Sequence, residues 1–145
     1  IQQIRFADKF KVEISAGDEV RSLYLLKLTL QPIVENAVLH GLEDTENGVV
    51  RVDVLSDETT GTLKISVTDN GRGLPPEMVG PYVRRETDGR GHLGLYNVDT
   101  ILKKYYGDTC GLCLGCRPDG PGTVVTAILP LQKEESHAES TGCGR

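Results

Sequence analysis

The chain has 145 residues, 38% of them hydrophobic and 26% charged, which suits one soluble domain able to bury a single core. No apolar run approaches the about 20 residues of a membrane-spanning helix, and no basic segment followed by an apolar stretch and a small-residue cleavage site marks secretion, so a cytoplasmic location is expected. With a net charge of -5 and with Lys and Arg scattered among acids, the chain lacks the basic stripe that a nucleic-acid surface requires.

In chain order, Ile1–Phe6 reads as the end of a preceding helix, and Phe10–Ile14 alternates apolar residues with Lys11 and Glu13 at the period of a half-buried strand. Leu28–Gly41 reads as a helix with Leu30, Val34, Ala37 and Gly41 on one stripe. Thr29 is its expected cap, Pro32 lies in its first turn, and Gly41 ends it in a left-handed conformation. Two strands follow around Val50–Val54 and Leu63–Val67, with a hairpin turn at Gly61. The stretch from Asn70 to His92 is rich in Gly, Pro, Arg and Glu, and reads as a long loop, a functional lid or a disordered segment, with few apolar anchors between Leu74 and Arg90. Leu93–Tyr106 is a second helix, with Leu95, Val98, Ile101 and Leu102 on one side and Gly107 beyond its end. A strand at Leu112–Cys116 and another at Thr123–Leu129, closed by Pro130, complete the pattern, and the polar tail 132–145 reads as disordered.

Cys110, Cys113 and Cys116 are evenly spaced, with Cys143 alone near the end. A metal site would need its fourth ligand from the tail, so the preferred reading is a strand whose small apolar cysteines alternate faces, Cys110 and Cys116 on one side and Cys113 on the other.

Three features carry chemistry. Asn36 sits inside an apolar helix with His40 one turn later, and its amide oxygen is a suitable hard ligand for Mg²⁺; alternatively it is a hydrogen-bonded core asparagine. Asp69 shares a strand face with Leu63, Ile65 and Val67, so its carboxylate points inward at the strand end, where a purine amine would satisfy it. Gly71 and Gly73 would let the backbone approach that ligand, although a tight turn capped by Asp69 also explains the segment. Gly89-Arg-Gly-His-Leu-Gly94 opens a helix, where free amides and the helix dipole favour an anion. The same spacing occurs in dinucleotide-binding folds, but there it directly follows a parallel strand, and here a long loop intervenes.

Leu30-Gln-Pro-Ile-Val-Glu-Asn-Ala-Val-Leu-His-Gly41, Asp69-Asn-Gly-Arg-Gly-Leu74, Gly91-His-Leu-Gly-Leu-Tyr-Asn-Val98 and Gly122-Thr-Val-Val-Thr126 resemble the N box, the two glycine boxes and the terminal Gly-Thr motif of the GHKL ATPases. The Leu-Gln-Pro-x-Val-Glu-Asn-Ala form is similar to sensor histidine kinases of the LytS/YesM type. The resemblance covers residues 1 to 131 and implies a two-layer α/β sandwich, the Bergerat fold, with a mixed sheet packed on one face by helices and an ATP lid. It makes ATP and Mg²⁺ the cofactors, Asn36 the metal ligand, Asp69 the acceptor of the adenine amine, and Gly71 and Gly73 part of the cleft. His40, Arg90, Gly91, His92, Leu93 and Gly94 belong to the nucleotide site by the same resemblance, with Thr123 at its adenine end and Glu35 in the position of a residue assisting catalysis.

The departures are informative. Hydrolytic relatives carry a glutamate base one turn before the asparagine, where this chain has Pro32, and Arg90 and His92 replace two glycines of the second glycine box. None of His40, His92 and His137 lies in the subfamily's acceptor context. The expected function is therefore transfer of the ATP γ-phosphoryl group to a histidine on upstream dimerisation helices, in a membrane-anchored homodimer that passes the group to a response regulator. A hydrolytic ATPase or serine kinase and a nucleotide-sensing module are the alternatives.

Overall fold

The structure, a computed structural model, describes residues 2–6, 10–16, 25–83 and 93–131. Its strands are β1 (Gln2–Phe6), β2 (Phe10–Ala16), β3 (Gly48–Asp57), β4 (Thr62–Asp69), β5 (Gly80–Pro81), β6 (Gly111–Cys116) and β7 (Thr123–Pro130), and its helices are α1 (Leu25–Asn36) and α2 (Leu93–Tyr106). The strands form one sheet in the order β1-β2-β3-β4-β7-β6-β5. It is mixed: β2 and β3 run parallel while the other neighbours are antiparallel.

Alternation decides which face is covered. Val50, Val52 and Val54 on β3, Leu63, Ile65 and Val67 on β4, and Val125, Ala127 and Leu129 on β7 are all buried, and they pack with Ile33 and Ala37 from the α1 side and Leu95, Val98 and Leu102 of α2. Between them Arg51, Lys64 and Ser66 face the other way, where Ser66 and Thr126 hydroxyls lie 3.1 Å apart and Arg51 reaches Glu13 at 3.4 Å. The result is a two-layer α/β sandwich with helices on one face, as expected. No described helix is long and apolar enough to cross a membrane.

The segment expected to end a preceding helix does not do so over its described residues, 2–6. Gln2–Phe6 is a strand paired antiparallel with β2, from Gln2 opposite Ile14 to Phe6 opposite Phe10. Ile4 and Phe6 alternate with Gln3 and Arg5 at strand period, and so short a segment has little means of nucleating a helix on its own.

The first helix also begins earlier than expected, at Leu25, so Thr29 is interior rather than a cap and Pro32 lies in the middle of α1. A proline there forfeits one backbone bond. The helix runs on into a π-helical turn, Ala37–Gly41, closed by the Leu42 amide donating to the Ala37 carbonyl at 3.1 Å. Gly41 is not left-handed. Its lack of a side chain serves contact instead, since a Cβ at position 41 would lie 2.6 Å from Asp69 Oδ2.

The second helix has the expected bounds, and Gly107 ends it at φ 96 with its amide bonded to the Lys103 carbonyl. Its buried side differs: Asp99 is 6% exposed and joins Leu95, Val98 and Leu102, whereas Ile101 faces outward. Asp99 Oδ1 accepts the Leu112 amide at 2.8 Å and Oδ2 accepts Lys103 Nζ at 2.7 Å, which ties α2 to β6. The segment after Asn70 is also better anchored than its composition suggests. It contains a 3₁₀ turn, Pro76–Met78, then β5, then a buried Tyr82 whose amide donates to the Leu112 carbonyl at 2.9 Å. Of the cysteines, Cys110 is buried ahead of β6, Cys113 is half-buried and Cys116 is exposed at the strand's end. No group of three metal-ligating side chains occurs among the described residues, and Cys143 and the tail 132–145 lie outside them.

Candidate functional site

The site is built at the end of β4. The inward parity of Leu63, Ile65 and Val67 continues to Asp69, which is 4% exposed. Its Oδ1 accepts two backbone N–H groups, from Gly71 at 2.9 Å and from Thr123 at 3.1 Å. The turn reading and the inward-carboxylate reading therefore both hold: the Gly71 bond closes an Asx-type turn, and the carboxylate is buried as well. Burial pushes the Asp69 carboxyl above the usual carboxylate range, while the amides of Gly71 and Thr123, the Arg117 charge and the Thr123 hydroxyl pull it back down.

Three glycines allow the chain to close around this carboxylate. A Cβ on Gly71 would collide with the Gly41 carbonyl, and one on Gly122 would collide with the Asp69 carbonyl. Gly122 also has φ 142, which non-glycine residues rarely adopt. Both amides bind the same oxygen, so the other, Oδ2, lies against Gly41, where any side chain would cover it. Gly71 therefore serves first to let the turn touch the π turn. Gly73, at φ 83, packs near Gly122. Thr123 is buried on the face it shares with Val125 and Ala127, as its parity requires.

Asn70 was not among the expected site residues, yet it pins the strand end. Its Oδ1 accepts the Val49 amide at 2.7 Å, its Nδ2 donates to the Asn47 carbonyl at 3.2 Å, and its own amide donates to the Val49 carbonyl. The side chain thus continues the ladder with β3 beyond the last paired residue. Nothing local in the sequence indicates this, because the partners precede it by more than twenty positions.

On the helical side, Asn36 ends α1, and its Oδ1 is buried without a hydrogen-bond partner among the described residues. Leaving such an acceptor unpaired costs about 1–3 kcal/mol, and a hard cation would satisfy it. Asn36 therefore fits the role of an Mg²⁺ ligand. Glu35, next in the chain, is exposed and accepts a bond from Gln31 Nε2 at 2.9 Å. His40 is half-buried in the π turn beside Gly41.

The structure does not gather every expected residue around Asp69. Leu93, 53% exposed, and Gly94 open α2, and the nearest neighbour of a Cβ on Gly94 would be Pro32 Cβ at 3.5 Å. Arg90, Gly91 and His92 lie outside the described residues, as do Arg84 and Arg85. A polar cavity of about 390 Å³ occupies the open face of the sheet behind the site, lined in part by Arg51, Asp53, Thr68, Asp69, Asn70 and Arg117.

The chain is similar to known proteins in sequence and in fold. Residues 24–133 match the family model described as "Histidine kinase-, DNA gyrase B-, and HSP90-like ATPase". The chain is 32% identical over 142 residues to the sensor histidine kinase YpdA of Escherichia coli, an alignment covering 97% of this chain and 24% of that protein. It is 31% identical over 135 residues to the sensor histidine kinase YesM of Bacillus subtilis, covering 92% of this chain and 22% of the relative, so it spans about a quarter of these proteins. Its fold is similar to the histidine kinase domain of the Erythrobacter litoralis EL346 blue-light activated histidine kinase, with a TM-score of 0.58, 22% identity, and coverage of 87% of this chain and 56% of that one.

Proposed function

The chain belongs to the histidine kinase-, DNA gyrase B- and HSP90-like ATPase family, and from that premise we propose that it binds Mg·ATP and delivers the γ-phosphoryl group to a histidine on dimerisation helices preceding it in a longer protein. It is an ATP-binding catalytic domain of the two-component sensor kinase type. The carrying observation is the buried Asp69 carboxylate at a strand end walled by Gly41, Gly71 and Gly122. An ionised carboxylate so placed accepts an exocyclic amine while excluding the keto oxygen of a guanine at that position, which brings an acceptor rather than a donor. In this reading the adenine amine meets Asp69, and Thr123 lies beside it.

Asn36 would hold the Mg²⁺ ion, which when bound offsets charge on the phosphates. Leu93 and Gly94, together with Arg90, Gly91, His92 and His40, would line the phosphate end, with α2 presenting its N-terminus. Glu35 is exposed and bonded to Gln31, which favours a supporting role over direct contact with the reacting atoms. Pro32, which carries no ionisable group, stands where hydrolytic relatives have a base, on the side of α1 that a Cβ on Gly94 would approach within 3.5 Å. An imidazole acceptor needs no such base, because the neutral ring is already nucleophilic; the domain has to position the phosphate and offset its charge. The longer protein is then a membrane-anchored homodimer whose phosphohistidine serves a response regulator.

The test mixes this chain with the upstream helices, Mg²⁺ and γ-labelled ATP. Acid-labile phosphate on a histidine of the added helices is the expected result. Steady release of inorganic phosphate by the chain alone would replace the reading with a hydrolase, and tight ATP binding without transfer would replace it with a nucleotide sensor.

A further inference from the structure

We infer that Arg117 is a positioning residue for nucleotide recognition: from the open face of the sheet, behind the site, it braces the Gly122–Thr123 backbone and keeps the Asp69 carboxylate ionised for an amine. The inference rests on the adenine reading of Asp69 and adds to it a residue that none of the expected motifs contains.

Arg117 follows β6, and its position is held by the chain itself, since its amide donates to the Gly122 carbonyl at 3.0 Å. Its side chain then passes Gly122 so closely that a Cβ on that glycine would stand 3.2 Å from Arg117 Cδ. Gly122 in turn lies against the Asp69 carbonyl, and the next residue, Thr123, donates its amide to Asp69 Oδ1. Arg117 thus touches the peptide unit that orients the carboxylate. It does so from the cavity on the open face, where Thr68, Asp69, Asn70 and Arg117 meet.

Charge follows the same geometry. Asp69 is surrounded by β3, by the β6–β7 turn and, on the helical side, by the π turn that carries His40. Of the charged groups nearby, Arg51 and Asp53 on β3 lie with Arg117 and Asp119 in the open-face cavity, and Arg51 is engaged with Glu13. Arg117 has no ion-pair partner among the described residues, and its charge favours the ionised form of Asp69 against the burial that disfavours it. A protonated Asp69 would present a hydroxyl to the adenine amine on one oxygen and lose its strength as an acceptor. Nucleotide affinity must therefore fall as pH drops through the Asp69 titration. Losing the Arg117 charge moves that fall to higher pH.

The experiment measures affinity for a non-hydrolysable ATP analogue by calorimetry from pH 5 to pH 8.5 for the wild type, Arg117→Gln and Arg117→Lys, with circular dichroism to confirm folding at each pH. For Arg117→Gln the acid limb is expected to shift upward, giving a loss of about threefold or more relative to wild type near the foot of the limb and less than about twofold at pH 8.5. Arg117→Lys, which keeps the charge, should restore the wild-type profile. A uniform loss at every pH with no rescue by lysine would reduce Arg117 to a packing residue and overturn the inference, as would superimposable profiles. Absence of binding by the wild type at every pH would instead overturn the adenine reading on which the inference stands.

Discussion

Replacing Asp69 by asparagine separates recognition from folding. The asparagine Oδ1 can keep both bonds that Asp69 Oδ1 makes, to the amides of Gly71 and Thr123, so the Asx turn and the link to β7 survive. The other position becomes an NH₂ group, a donor, in place of the oxygen beside Gly41, and it would face the donor amine of adenine. A hydrogen bond involving a charged group contributes about 1.5–3 kcal/mol, so its loss should weaken ATP binding roughly ten- to a hundredfold or more. Stability should move the other way. Because burial raises the Asp69 carboxyl above its ordinary value, the fold prefers the neutral form. The associated stability is fully present below the unfolded-state pKa and is lost as pH rises through the folded-state value. The asparagine variant carries no such loss, so its melting temperature should equal or exceed that of the wild type at pH 7, with the difference narrowing as the pH falls towards 4. Calorimetry with an ATP analogue and thermal melts across that range provide the assay. Unchanged affinity would remove Asp69 from the site. A parallel loss of affinity and melting temperature at pH 7 would show that its role is structural.

Three other perturbations test separate parts of the molecule. Asn36→Ala should lower affinity for Mg·ATP while leaving metal-free nucleotide binding within about twofold, since the lost oxygen has no hydrogen-bond partner among the described residues; equal losses with and without Mg²⁺ in a titration would assign Asn36 to the helix alone. Asp99→Ala should destabilise the fold by about 1–3 kcal/mol in urea unfolding, because it strands the buried Leu112 amide. A change under about 0.5 kcal/mol would mean that water replaces the carboxylate without penalty. In hydrogen exchange without nucleotide, the Tyr82 amide should be protected by its bond to the Leu112 carbonyl. Exchange at the rate of an unstructured peptide would show that the segment through β5 is not docked.

What could be read from the sequence follows the range of the interactions involved. Period places β3, β4 and β7, period together with Gly107 places α2, and parity turns Asp69 and Thr123 inward. The start of α1 was not legible, because Leu25 to Leu28 holds no capping residue and its apolar run has no distinct stripe. Gly41 looked like a helix terminator, since a glycine after an apolar helix usually is one; only the approach of Asp69, from 28 positions further along the chain, explains its actual role. The roles of Asn70 and Asp99 are not legible for the same reason. Each reads as a surface or turn residue locally, and each is committed to a backbone amide on a distant strand. Tyr82 is one buried aromatic in a stretch containing three prolines, and a single anchor sets no period.

The two ends of the site are built by different means, and this bears on which reaction the domain favours. Around Asp69 the chain closes tightly: a Cβ on Gly71 or Gly122 would meet main chain, and one on Gly41 would meet the Asp69 carboxylate itself. On the adenine reading, such a strand end would be preorganised for one edge of the base and need little adjustment on binding. At the other end, a Cβ on Gly94 in the first turn of α2 would come within 3.5 Å of Pro32 Cβ on α1, and neither residue carries an ionisable group. A water molecule must be deprotonated as it attacks phosphorus, and hydrolysis without a general base typically forgoes a factor of about 10²–10⁴. An imidazole brings its own lone pair and forgoes much less. On the proposed reading, a proline in place of a base therefore disfavours water more than histidine as the acceptor.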